Sequence, residues 1–172
     1  MKWLLRGFPG HPLHPPLTDA TIGAYTFATA MAVLSRLGVS DENTATVWWL
    51  ALIAGLVVTL PTALTGFADW LDISRGTPLW RTATAHLTAM LCATVLFAIA
   101  AGAGHADYVD RAVSGGALIL TLAGYVVLAV GGWLGGAIVF VHGMRVLNLV
   151  DEPASRAVSP VPTPEKEEAE GA

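Results

Sequence analysis

Residues 44–68 read TATVWWLALIAGLVVTLPTALTGFA, 25 consecutive residues without a charge between Asn43 and Asp69. As a helix, roughly 20 apolar residues cross the ~30 Å hydrocarbon core of a bilayer. This stretch decides the fold class. A second uncharged run extends from Thr82 to Gly104 with His86 inside it, and a third from Ala112 to Val141. The remaining candidate lies between Asp19 and Arg36, whose charges stand at its ends, where they meet headgroups. With 13% charged and 54% hydrophobic residues and a mean hydropathy of +0.60, the chain falls outside the soluble range. The expectation is an all-α, four-helix membrane bundle with helices at about 17–37, 44–70, 79–103 and 113–146.

The flanking segments set topology. Lys2, Arg6, Arg75, Arg81, Arg145, Arg156 and Lys166 fall on one side and only Arg36 and Arg111 on the other, which predicts cytoplasmic termini in a bacterial inner membrane. Residues 1–16 form a cytoplasmic arm too short and interrupted for a signal-peptide core, so the first helix inserts uncleaved. Residues 149–172, rich in Pro and ending in Glu165, Glu167, Glu168 and Glu170, read as a disordered acidic tail. Trp70 and Trp80 suit the inner interface, and Trp48 with Trp49 the outer one. Both outer loops are too short to be domains. The single cysteine, Cys92, excludes an intramolecular disulfide. No basic groove suggests nucleic acid. The expected partners are the bilayer, a separate electron-transfer protein and a second copy of the chain.

Ionisable groups at membrane depth are costly and mark function by default. Helix directions bring His11, His14, His86 and His142 to one end of the bundle, with Asp19 and Asp69 at the same end. The prolines at 12, 15 and 16 start the first helix near Leu17, leaving His11 and His14 on a stiff extended arm. In the second helix Thr62, Thr65 and Asp69 share a face, and Pro61 introduces a kink. His86 lies about 10 Å into the third span, with Thr82 one turn back as a partner. The fourth helix carries Gly131, Gly132, Gly135 and Gly136 towards His142 and Arg145; the glycines allow close approach or a flat ligand.

Three chemistries use these residues. A b-type haem takes two histidines as axial ligands, His86 with His142 first, with glycines making space for the porphyrin. A non-haem zinc, iron or copper ion, or a proton-linked role, uses some of the four histidines with Asp69 as ligand or orienter. A hydrogen-bonded His/Asp latch closes the bundle without a cofactor. Asp19, Asp69 and Arg145 are supporting residues in each case. No nucleotide loop, nucleophile elbow or zinc-protease signature points to an enzyme, so a redox or accessory membrane subunit is expected.

The segments Gly10-His11-Pro12-Leu13-His14-Pro15 and Thr65-Gly66-Phe67-Ala68-Asp69-Trp70 carry a family resemblance. His86, Gly132-Trp133-Leu134-Gly135-Gly136 and His142-Gly143 continue it in order. Together they resemble the bacterial membrane family named domain of unknown function 2231, over roughly residues 7 to 148. The resemblance implies four membrane helices. Relatives that join this module to a Rieske iron–sulfur domain imply redox chemistry, but here an acidic, Cys-free tail replaces that domain, so an electron partner is a separate protein.

Overall fold

A computed structural model describes residues 5–8 and 10–147, together with 153, 155 and 158. The rest of the acidic tail, with Arg156 and Lys166, and Lys2 lie outside the described residues. The element order is α1 (His14–Arg36), α2 (Asp41–Leu71), α3 (Pro78–Ala103), α4 (His105–Asp110) and α5 (Gly115–Phe140). Among the described residues there is no strand. The helices α1, α2, α3 and α5 are each long and apolar enough to cross a membrane, and α4 is a short turn of helix in one connection.

Local chemistry sets the helix ends. Thr77 and Ser114 accept the backbone N–H of Trp80 and Ala117 through their side chains, capping α3 and α5. Asp41 and Glu42 place negative charge in the first turn of α2. Two boundaries at the histidine-bearing end differ from the sequence expectation, and α2 starts three residues before the expected 44. The helix α1 begins at His14 rather than Leu17, because Pro15 and Pro16 occupy its first turn, where amide hydrogens have no intrahelical acceptor to lose. His14 is therefore a helix residue and not part of an extended arm. At the other end of the chain, α5 stops at Phe140, short of residue 146. His142 N–H bonds back to Ala137 O and Met144 N–H to Ile138 O, and Gly143 turns the chain at φ +66°.

The helix α1 packs mainly along α2, and α3 mainly along α5; α2 against α3 and α1 against α5 close the ring. Diagonal partners α1 and α3 meet only across the interior. The core is built from Tyr25, Trp48, Leu52, Phe97 and Leu128 among small alanines, with Tyr25 stacked on Phe97 at 4.0 Å between ring centroids. Trp48 is fully buried and donates its indole N–H to Thr121 Oγ1 at 3.1 Å. It is thus a core residue rather than an interface anchor, because its indole finds a hydroxyl inside the bundle. Trp49 stays at the end, stacked on Tyr108.

A polar ladder joins α1 to α2. Tyr25 bonds Thr59 at 2.8 Å, Thr21 bonds Thr62 at 2.9 Å, and His14 reaches Thr62 and Thr65. Since α2 passes through Pro61 as one unbroken helix of 31 residues, these hydroxyls stay in register. The threonines also donate to backbone carbonyls one turn back in their own helices. Every rung is satisfied.

Candidate functional site

The N-terminus of α1, the C-terminus of α2, the N-terminus of α3 and the C-terminus of α5 share one end of the bundle, hereafter the polar end. There the ring of His14 stands edge-on to the ring of His86, with centroids 6.5 Å apart and planes at 84°. The two imidazoles come from the diagonal pair α1 and α3.

Each ring is held by a flanking helix. Nδ1 of His14 lies 3.1 Å from Thr62 O and 3.2 Å from Thr65 Oγ1. The Thr65 hydroxyl hydrogen is committed to carbonyls of Pro61 and Thr62, and Thr62 O is only an acceptor, so Nδ1 is the donor. Nδ1 of His86 likewise donates to Gly131 O of α5 at 2.8 Å. In a neutral imidazole this leaves Nε2 as the lone-pair nitrogen of both rings. Thr18 Oγ1, which gives its hydrogen to His14 O, stands 3.5 Å from Nε2 of His14.

Glycine makes the ring positions accessible. A methyl group on Gly66 would come within 2.5 Å of His14 Cε1, and one on Gly135 within 3.2 Å of His86 Cε1. Gly131 lies against Met90 and Gly132 against Ile22. The glycine surface of α5 is thus occupied by side chains of α3 and α1.

Charge gathers beside this pair. Asp69, buried near the end of α2, is paired with Arg145 at 2.5 Å, which also donates to Arg6 O at 3.3 Å. Asp69 is neither a cap nor a turn acid. Arg6 in turn pairs with Asp72 at 2.7 Å. Among the described residues, every buried side-chain nitrogen and oxygen has a hydrogen-bond partner.

The remaining expected members fall elsewhere. His142 bonds Thr82 at 3.1 Å, so Thr82 serves His142 while His86 takes a backbone carbonyl. The pair brought together is His14 with His86, in place of His86 with His142. His11 is exposed and exchanges backbone bonds with Phe8. Asp19 is exposed on α1, outside the cluster. No group of three or more His, Cys, Asp or Glu side chains able to hold a metal ion occurs among the described residues, so the wider non-haem ligand set is not assembled. Gly66 and the carbonyl of Gly131 were missed. The Thr65-Gly66 step beside a histidine-bearing helix was the available signal for the first; a backbone acceptor leaves none.

Residues 10–148, which hold the four spans, match the family model described as "Predicted membrane protein (DUF2231)". The chain belongs to this family. No curated protein and no solved structure matches it. Family membership establishes a multi-pass helical membrane protein.

Proposed function

We propose that this DUF2231 protein holds one b-type haem between His14 and His86 and serves electron transfer in the bacterial cytoplasmic membrane, with the polar end facing the cytoplasm. The observation that carries this reading is the pair of imidazoles 6.5 Å apart across the bundle diagonal, each with Nδ1 tied to a carbonyl. His14 and His86 would hold the iron through the Nε2 nitrogens that their Nδ1 bonds leave free. The spacing of the two rings supports an iron between them, whereas the α5 glycine face expected to make space for the porphyrin is filled by Met90 and Ile22. A ligating histidine ordinarily has its second nitrogen fixed in this way, which sets tautomer and orientation.

When bound, the haem supplies a one-electron couple. The chain's own residues do the rest. Thr62 O and Gly131 O hold the rings, Gly66 and Gly135 leave them room, and Arg145 is engaged by Asp69 beside them. The electron partner is a separate protein.

Oxidised and reduced spectra of protein expressed with ample haem test this directly. A Soret band lost in His14→Ala and in His86→Ala, but kept in His11→Ala and His142→Ala, is the expected result. Its absence from the parent protein overturns the reading. Near-stoichiometric zinc, iron or copper without haem bands would instead assign a non-haem ion to the same pair.

A second reading rests on the same bonds: His86 fastens α3 to α5 and His14 fastens α1 to α2, so the cluster is a structural latch. The latch predicts a stability loss without any cofactor.

A further inference from the structure

We infer that the N-terminal arm, residues 5–8 and 10–13, is an ionic strap that closes the polar end and makes access to the His14–His86 pair depend on salt. The arm is folded on itself before it meets the bundle. Phe8 and His11 exchange two backbone hydrogen bonds, Gly7 and Gly10 take φ of +74° and +78°, and a side chain at Gly7 would collide with His11 O. Such a loop moves as one piece.

Three contacts fasten it. The Arg6 guanidinium pairs with Asp72 at 2.7 Å, and Arg6 O accepts from Arg145, which itself holds Asp69. Asp69 and Asp72 are one turn apart at the end of α2, so two carboxylates anchor two arginines from opposite ends of the chain. On the apolar side, Leu5 and Leu13 line a recess of about 460 Å³ with Leu17, Leu64 and Thr65. Thr65 is also the hydroxyl against His14, and His14 directly follows the arm. The strap thus leads directly into the helix turn that carries the imidazole.

The fasteners are unequal. Arg6 and Asp72 are partly exposed, with side-chain exposures of 26% and 48%, whereas Asp69 is at 10%. An exposed pair changes an equilibrium by about fivefold at most and is screened by salt; a buried one is much less affected. Salt therefore frees the Arg6 guanidinium from Asp72 and leaves the arm held there only by the exposed 3.3 Å bond from Arg145 to Arg6 O, while Asp69–Arg145 stays closed.

Carbethoxylation of the full chain, expressed without haem supply and purified free of haem and metal in detergent, by diethyl pyrocarbonate, followed at each histidine by peptide mass spectrometry, tests the strap. Raising salt is expected to accelerate modification of His14 by several-fold, up to about fivefold, while His105 at the opposite end is unchanged. Asp72→Asn is expected to show the fast rate already at low salt and to lose most of the salt response. Equal His14 rates at low and high salt, or an Asp72→Asn rate equal to the parent's at low salt, overturn the proposal. Spectra of separately prepared haem-supplied protein separate it from the haem reading. A salt-responsive rate in the cofactor-free chain, with no Soret band in the haem-supplied one, supports the strap while haem fails. Protection in the cofactor-free chain that ignores both salt and Asp72→Asn removes the strap, and a Soret band in the haem-supplied protein then leaves haem standing.

Discussion

At the scale of single residues, two bonds of the same kind separate His86 from His142. The His86 ring donates to a carbonyl inside the bundle at 2.8 Å, while His142 bonds the Thr82 hydroxyl beyond the end of α5. Hydrogen bonds between membrane helices contribute about 0.6 kcal/mol on average and up to about 1.7, and loss of a packed ring adds a cavity term. His86→Ala is therefore expected to destabilise the protein by about 2 kcal/mol and His142→Ala by less than about 1, measured by thermal unfolding in detergent of cofactor-free protein. Equal losses would count against the latch. The depth of His86 was legible from its place in an uncharged run, but its partner was not. A sequence ranks hydroxyls such as Thr82 as partners, and a glycine carbonyl gives no residue-type signal. His11 and His14 present the same problem, since both precede proline; only the fold shows that one is exposed and the other begins α1.

At the scale of elements, α1 and α2 approach closely because glycines of α2 face rings of α1. A methyl on Gly55 would come within 2.6 Å of the Tyr25 ring, and one on Gly66 within 2.5 Å of His14, whereas Gly132 of α5 has only Ile22 Cδ1 at 4.0 Å. Tyr25 cannot yield, being stacked on Phe97. Overpacking of this kind costs about 1–3 kcal/mol. Gly55→Ala and Gly66→Ala are expected to lower the unfolding temperature, and Gly132→Ala to leave it unchanged or raise it, since alanine favours helix by up to about 1 kcal/mol. A Gly132→Ala loss as large as that of Gly55→Ala would contradict the packing described. The spans were legible because uncharged length at membrane scale has one structural solution. Their ends were less so. Prolines allow a first helical turn as readily as they forbid an interior one, and the turn at Gly143 competes with helix through local bonds back to carbonyls of Ala137 and Ile138, which an uncharged run does not mark.

For the whole molecule, the four-helix ring is joined at the polar end by a pair from segments 76 residues apart, Asp69 of α2 and Arg145 beyond α5. The apolar runs drive helices into a bilayer without stating how they are tied to one another, so this pairing was invisible in the sequence. Arg145 reads there only as a supporting residue of the histidine cluster, and the partner it meets is the carboxylate of Asp69. Energetics follow from the unequal burial of the two partners, 10% exposed for the Asp69 side chain and 31% for Arg145. Removing the arginine leaves a carboxylate with little access to water, which costs about 3 kcal/mol, somewhat less here because Arg145 is partly hydrated to begin with. Removing the carboxylate leaves a cation that can turn to water. Arg145→Gln is therefore expected to destabilise the protein by about 2–3 kcal/mol, Asp69→Asn by about 1, and the double variant by less than Arg145→Gln alone. Equilibrium unfolding of the three variants beside the parent completes the cycle. Additive losses would mean that the two groups act independently, and the tie between α2 and the end of the chain would then lie in the backbone and apolar contacts around them.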